Sequence, residues 1–138
     1  MTVDERVAAA RRIICGIEPA ELAHILDQPD LTVIDLRCGE ERLASGVIPG
    51  SIAVSRSTLE WRCDLASEWR DERVAQPDRR TILVCADGFS SILAAASLAE
   101  LGFTRVGELA GGIAAWTAAG LPTASAATQP EASYAARS

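Results

Sequence analysis

Cys85 ends the short apolar run Thr81-Ile82-Leu83-Val84, whose β-branched content reads as a buried strand. Ala86-Asp87-Gly88-Phe89-Ser90-Ser91 follow as a compact loop, and Ile92 to Leu101 read as a helix closed by Gly102. Most free cysteines are small apolar filler. A cysteine at the carboxyl end of a strand, opening onto a helix, is placed differently, because that is where open α/β sheets do chemistry. Loop amides and the helix N-terminus direct partial positive charge at such a sulfur and favour thiolate, the nucleophilic form. Cys85 is therefore the candidate nucleophile.

The elements that must position it follow from pattern and punctuation. Thr2-Val3-Asp4-Glu5 fits a capping box that opens a helix through Ile14, with Gly16 ending it. Val7, Ala10, Ile13 and Ile14 give that helix an apolar stripe suited to the domain or to a second copy. Pro19 starts a second helix through Asp27, and Leu31 to Asp35 read as a strand. Gly39 to Ser45 form a short helix, Ile52-Ala53-Val54 a short strand, and Ser57 to Arg62 and Leu65 to Arg70 two weak helices. Thr104 to Leu109 give the last strand, and Gly111-Gly112 turn the chain into a helix from Ile113 to Ala119. Short strands alternating with helices predict an α/β fold, a mostly parallel central sheet with helices on both faces. Residues 123–138 carry no apolar periodicity and are expected to be disordered.

Composition narrows the function. The 138 residues allow one domain, and a net charge of −6 with no basic stretch argues against nucleic acid as a partner. No run is long enough to span a membrane and no leader is evident, so a cytoplasmic location is expected. Cys15, Cys38, Cys63 and Cys85 contain no C-x-x-C pair and there is one histidine, His24, so neither a metal site nor a cofactor is expected. Independent thiols are the expected state, with Cys63 weighed as a resolving partner for Cys85.

Five ordered motifs then come together. They are Ile17-Glu18-Pro19-Ala20-Glu21-Leu22, Val33-Ile34-Asp35-Leu36-Arg37, Gly46-Val47-Ile48-Pro49-Gly50-Ser51, the Cys85 loop, and Gly111-Gly112-Ile113-Ala114-Ala115-Trp116 with Ala119-Gly120-Leu121-Pro122. This arrangement resembles the single-domain rhodanese-like family, which has a sulfurtransferase fold. The resemblance implies a rhodanese-like domain over residues 17–122, with residues 1–16 an N-terminal helical extension. It implies that Cys85 carries sulfane sulfur as a persulfide, taken from thiosulfate or a persulfide donor and passed to a thiol or cyanide. The partner would then be a small sulfur-containing anion or thiol, with a protein as one form of acceptor.

The resemblance makes Ala86, Asp87, Gly88, Phe89, Ser90 and Ser91 the substrate-binding loop, with Phe89 either lining the pocket or anchoring the loop. Ser90 or Ser91 is expected to cap the following helix, although either hydroxyl could reach an oxyanion. Arg56, Trp61 and Arg62 are candidates for an anion-recognising rim. Asp35 and Arg37 are given a structural role. Related phosphatases carry an arginine at the sixth position beyond the cysteine, where this chain has Ser91, which disfavours phosphatase chemistry. Two features support an alternative, a catalytically weak or inactive binding module. Asp87 would raise the Cys85 pKa if its carboxylate faced the sulfur, and the loop has no arginine.

Overall fold

The computed structural model describes residues 1–131. Five strands form one sheet: β1 (Cys15–Ile17), β2 (Leu31–Asp35), β3 (Ile52–Ala53), β4 (Arg80–Val84) and β5 (Val106–Leu109). All neighbours run parallel, in the order β1-β5-β4-β2-β3. The helices are α1 (Val3–Arg11), α2 (Pro19–Ile25), α3 (Gly39–Ser45), α4 (Leu59–Cys63), α5 (Ser90–Glu100) and α6 (Gly112–Ala118). The expected α/β class with helices on both faces holds, and the sheet is parallel throughout.

Strand alternation divides the core in two. Ile34, Leu36, Leu83 and Val106 pack against Ala94, Ala95 and Leu98 of α5 and Leu59 and Cys63 of α4. Val33, Ile82, Val84, Leu109 and Ile17 face the other way, onto Leu22 of α2 and Ile113 and Trp116 of α6. A parallel strand covered on both faces must be apolar on both, which is why the sequence runs are continuous rather than alternating. β4 lies between β5 and β2, so the loop that follows it opens at the middle of the sheet.

Three expectations change. The first helix stops at Arg11, not Ile14, because Cys15–Ile17 leaves it to pair with Gly107 to Leu109 at the sheet edge. A three-residue edge strand containing glycine carries no pattern of its own, so pairing with β5 creates it. Helix α1 lays Ala10 and Val7 against Ile92 and Ala96 of α5, with Ile14 just beyond it, while Ile13 is exposed, so the expected apolar stripe is used within the domain only in part. Leu65 to Arg70 form turns, not a helix. Asp64 Oδ1 accepts the Ala66 amide and Ser67 Oγ the Trp69 amide, both at 3.0 Å. Short polar side chains here bond the backbone in place of helical carbonyls.

The third change is at the C-terminus. Residues 123–131 lie against the domain, and 132–138 lie outside the described residues. Val47 and Ala124 exchange backbone hydrogen bonds of 3.0 and 2.8 Å, and the Ala53 amide donates to Pro130 O at 2.9 Å. Gln129 is buried, and its Nε2 donates to Asp35 Oδ2 at 3.1 Å and to Ser51 Oγ at 2.8 Å. Its Oε1 accepts from Arg42 at 3.0 Å, while Arg42 also pairs with Glu131 at 2.6 Å. Polar satisfaction rather than apolar periodicity holds the segment, so hydropathy could not reveal it. Gln129→Ala leaves Arg42 and Ser51 short of buried partners and is expected to lower the unfolding free energy by about 1–3 kcal/mol in urea titrations.

Candidate active site

The Cys85 sulfur sits immediately past β4, in a loop shaped from two sides. Gly88 has φ 91°, a conformation that favours glycine, and a Cβ there would lie 2.9 Å from the Gly111 nitrogen. Gly112, with φ 64°, comes so close that a Cβ would stand 2.5 Å from the Cys85 carbonyl oxygen. This approach lets the first amides of α6 take the loop carbonyls. Ile113 N–H donates to Cys85 O at 2.9 Å and Ala114 N–H to Ala86 O at 3.0 Å. The carbonyls are thereby turned away from the sulfur.

On the sulfur side, Gly88 N–H donates to Cys85 Sγ at 3.1 Å, and the thiol donates to Ser91 Oγ at 3.3 Å. Burial pushes the thiol pKa up. Hydrogen bonds with the Ser91 hydroxyl and amide, the Ser90 hydroxyl and the Gly88 amide outweigh that effect, and the net pKa is below the ordinary value. The Gly88 amide on the sulfur, with the Ser90 and Ser91 groups beside it, makes the loop an anion cradle with no side-chain cation in it.

The loop residues divide by exposure. Asp87 is exposed, so its carboxylate is solvated and largely screened from the sulfur. Phe89 is 76% exposed and stands on the outer surface, which corrects the expectation that it might anchor the loop to the core. Helix α5 begins at Ser90 with Phe89 as its N-cap residue, and no side chain caps it. The expected serine cap is thus absent. Ser91 is fully buried, and its hydroxyl donates to Glu108 Oε2 at 3.3 Å on the side away from Cys85.

The expected arginine rim divides. Trp61 is exposed beside Ser57, Thr58 and Trp69. Arg56 is half-buried, its Nη1 held by both Glu60 oxygens at 2.9 and 3.0 Å. It borders a cleft with Arg37, Cys38 and Ser55. Arg62 is not a rim residue. It is 2% exposed and donates to the Trp69 carbonyl at 3.0 Å, because α4 turns it inward under the loop that follows. Asp35 and Arg37 form a buried forked pair, Nε to Oδ1 at 3.1 Å and Nη2 to Oδ2 at 2.9 Å, and Arg37 also donates to Gly46 O at 2.8 Å.

Cys63 does not suit a resolving role. It is fully buried in α4, where burial, Glu60 and Asp71 push its pKa up to about 12. Among the described residues, no cluster of three or more His, Cys, Asp or Glu side chains that could hold a metal forms, and no helix is long and apolar enough to cross a membrane. Glu108 is the site residue that sequence reasoning missed. Its signal was a carboxylate inside the otherwise uncharged strand Val106-Gly107-Glu108-Leu109.

Comparison with known proteins gives a consistent picture. The family model for the rhodanese-like domain matches residues 18–119. The thiosulfate sulfurtransferase GlpE of Pseudoalteromonas translucida is 35% identical over 103 residues, covering 75% of this chain and 89% of the relative. A Rhodopseudomonas palustris protein of unknown function, described as a possible tyrosine phosphatase, superposes with a TM-score of 0.83 at 27% identity, over 90% of this chain and 95% of that one. The polysulfide-sulfur transferase homodimer of Wolinella succinogenes gives a TM-score of 0.71 at 26% identity, over 91% of this chain and 88% of its own.

Gly112→Ala tests the clamp on the loop. The added methyl meets the Cys85 carbonyl and forces the loop away from α6. Cys85 alkylation by iodoacetamide at pH 7 is expected to slow by about tenfold, the effect of one pKa unit, as read by peptide-resolved mass spectrometry.

Proposed function

The chain belongs to the rhodanese-like domain family, and from that membership we propose that it is a sulfurtransferase in which Cys85 carries sulfane sulfur as a persulfide. The observation that carries this reading is the setting of the Cys85 sulfur, with the Gly88 amide at 3.1 Å and the Ser91 hydroxyl at 3.3 Å, and a thiol pKa below the ordinary value. The Cys85 thiolate attacks the outer sulfur of thiosulfate or a persulfide. The S–S bond of the donor breaks, the leaving group (sulfite, from thiosulfate) departs with the electron pair, and Cys85 is left as an anionic persulfide. A thiol or cyanide then attacks the terminal sulfur and returns Cys85 to thiolate. Backbone amides suit such charge because they are already oriented and need no proton of their own to give up. In this reading Arg56 and Trp61 flank the approach of the sulfur anion, and the four separate thiols stay reduced in a cytoplasmic setting.

Of the two grounds for the alternative, a binding module without turnover, the arginine-free loop stands and Asp87 is weakened because it is exposed to solvent. Phosphatase chemistry lacks its phosphate clamp, since the sixth residue beyond Cys85 is Ser91. Incubation with thiosulfate or an organic persulfide is expected to add one sulfur to the intact mass, and cyanide should remove it as thiocyanate. Cys85→Ser should abolish both changes. A wild-type protein that takes up no sulfur from any donor would overturn the reading.

A further inference from the structure

A buried carboxyl lies behind the nucleophile, and the sulfur chemistry described above makes no use of it. Glu108 on β5 is 3% exposed, and it faces α5 because its strand neighbours Val106 and Leu83 do. The Ser91 hydroxyl donates to Glu108 Oε2 at 3.3 Å, and the Cys85 thiol donates to Ser91 Oγ at 3.3 Å. The three groups form an unbroken line from sulfur through hydroxyl to carboxyl. We infer that Glu108 is a positioning residue that stores the Cys85 proton, received through the Ser91 hydroxyl.

The step conserves charge and atoms. The Cys85 Sγ–H proton moves to Ser91 Oγ as the Ser91 proton moves to Glu108 Oε2. A thiol facing a carboxylate becomes a thiolate facing a neutral acid, and the hydroxyl is regenerated pointing at the sulfur. When Cys85 is next protonated the transfer reverses. The proposal rests on Cys85 as the sulfur-carrying nucleophile, and it explains how such a nucleophile is generated without a base in direct contact with the sulfur. It also explains how a dianionic donor meets only one negative charge behind the loop, since Glu108 is neutral when the pair holds a single proton and Cys85 is thiolate.

The surroundings of Glu108 support the assignment. Burial raises its pKa, the Ser91 hydrogen bond and Arg11 at the end of α1 lower it, and Glu18 before α2 raises it, with a net rise. The Cys85 value moves the opposite way, so the two affinities for the proton approach each other. Of the adjoining strands, β1 places Gly16 beside Glu108 and β4 places Leu83 there, neither of which can titrate. Asp87, the charged residue of the Cys85 loop itself, is exposed.

A shared proton has a kinetic signature. Between the two macroscopic pKa values of the pair, the thiolate fraction depends on internal transfer and not on pH. Cys85 alkylation by neutral iodoacetamide, followed by peptide mass spectrometry on the full chain, should therefore level off as pH falls. Glu108→Gln keeps the size and an acceptor oxygen but cannot hold the proton. Its alkylation rate should fall about tenfold per pH unit below the Cys85 pKa. Ser91→Ala removes the hydrogen bonds that couple the two groups, so they titrate independently and should show the same slope, and adding Glu108→Gln to it should change the slope no further. A wild-type profile as steep as that of the variants overturns the proposal. So does a plateau that survives in Ser91→Ala, the variant that answers the question if Glu108→Gln does not fold. Because iodoacetamide carries no sulfur, a failure of sulfur loading with the plateau intact would count against the sulfurtransferase reading alone.

Discussion

The close approach of the Gly111-Gly112 corner to the Cys85 loop is the constraint on which the site depends. A loop of six residues has as many carbonyls as amides, and a sulfur anion is stabilised only where the amides face it. Helix α6 resolves this by taking the Cys85 and Ala86 carbonyls with its first free amides, Ile113 and Ala114. Those amides would otherwise lack intrahelical partners. The same two hydrogen bonds therefore end one unsatisfied helix terminus and orient the loop. No side chain at residue 112 is compatible with that contact, because the Cys85 carbonyl occupies the place of its Cβ.

Away from the loop, the protein holds its buried charges by pairing them. Asp35, Arg37, Arg42, Ser51 and Gln129 form one connected polar network beneath the ends of β2 and β3. All five are buried, so each leaves a costly orphan if its partner is lost. The segment through Glu131 closes the network and covers the outer edge of the sheet at Ala53. A second set, Glu60 with Arg56 and Ser97, is half-buried. Burial acts against the Glu60 carboxylate, but hydrogen bonds from Ser97, its own amide and Arg56 outweigh it and lower its pKa. Arg56 is thus already committed to Glu60, which leaves anion stabilisation at Cys85 to backbone and hydroxyl groups.

Much of this organisation was legible from residue order. The apolar runs at Val33-Ile34 and Ile82-Leu83-Val84, the loop glycines, and the helix after Ser91 placed Cys85 at the end of a central parallel strand. Features of low local information were not legible. Strand β1 is three residues long and exists because β5 offers it a partner. The turns at Leu65 to Arg70 arise from Asp64 and Ser67 bonding nearby amides. Gln129 is an ordinary polar residue until Asp35, Ser51 and Arg42 surround it.

The sequence by itself determined the class of fold, the strand-loop-helix setting of Cys85 and the absence of an arginine from its loop, because these depend on local period and residue type. Tertiary structure alone decided the orientation of polar groups. It turned Asp87 outward, drew Arg62 inward, and gave the Ser91 hydroxyl to Cys85 and Glu108 rather than to a helix cap. The physical reason is that a hydrogen bond is set by distance and direction in space. Ser91 and Glu108 are 17 positions apart along the chain, and only the packing of α5 on β5 brings them together.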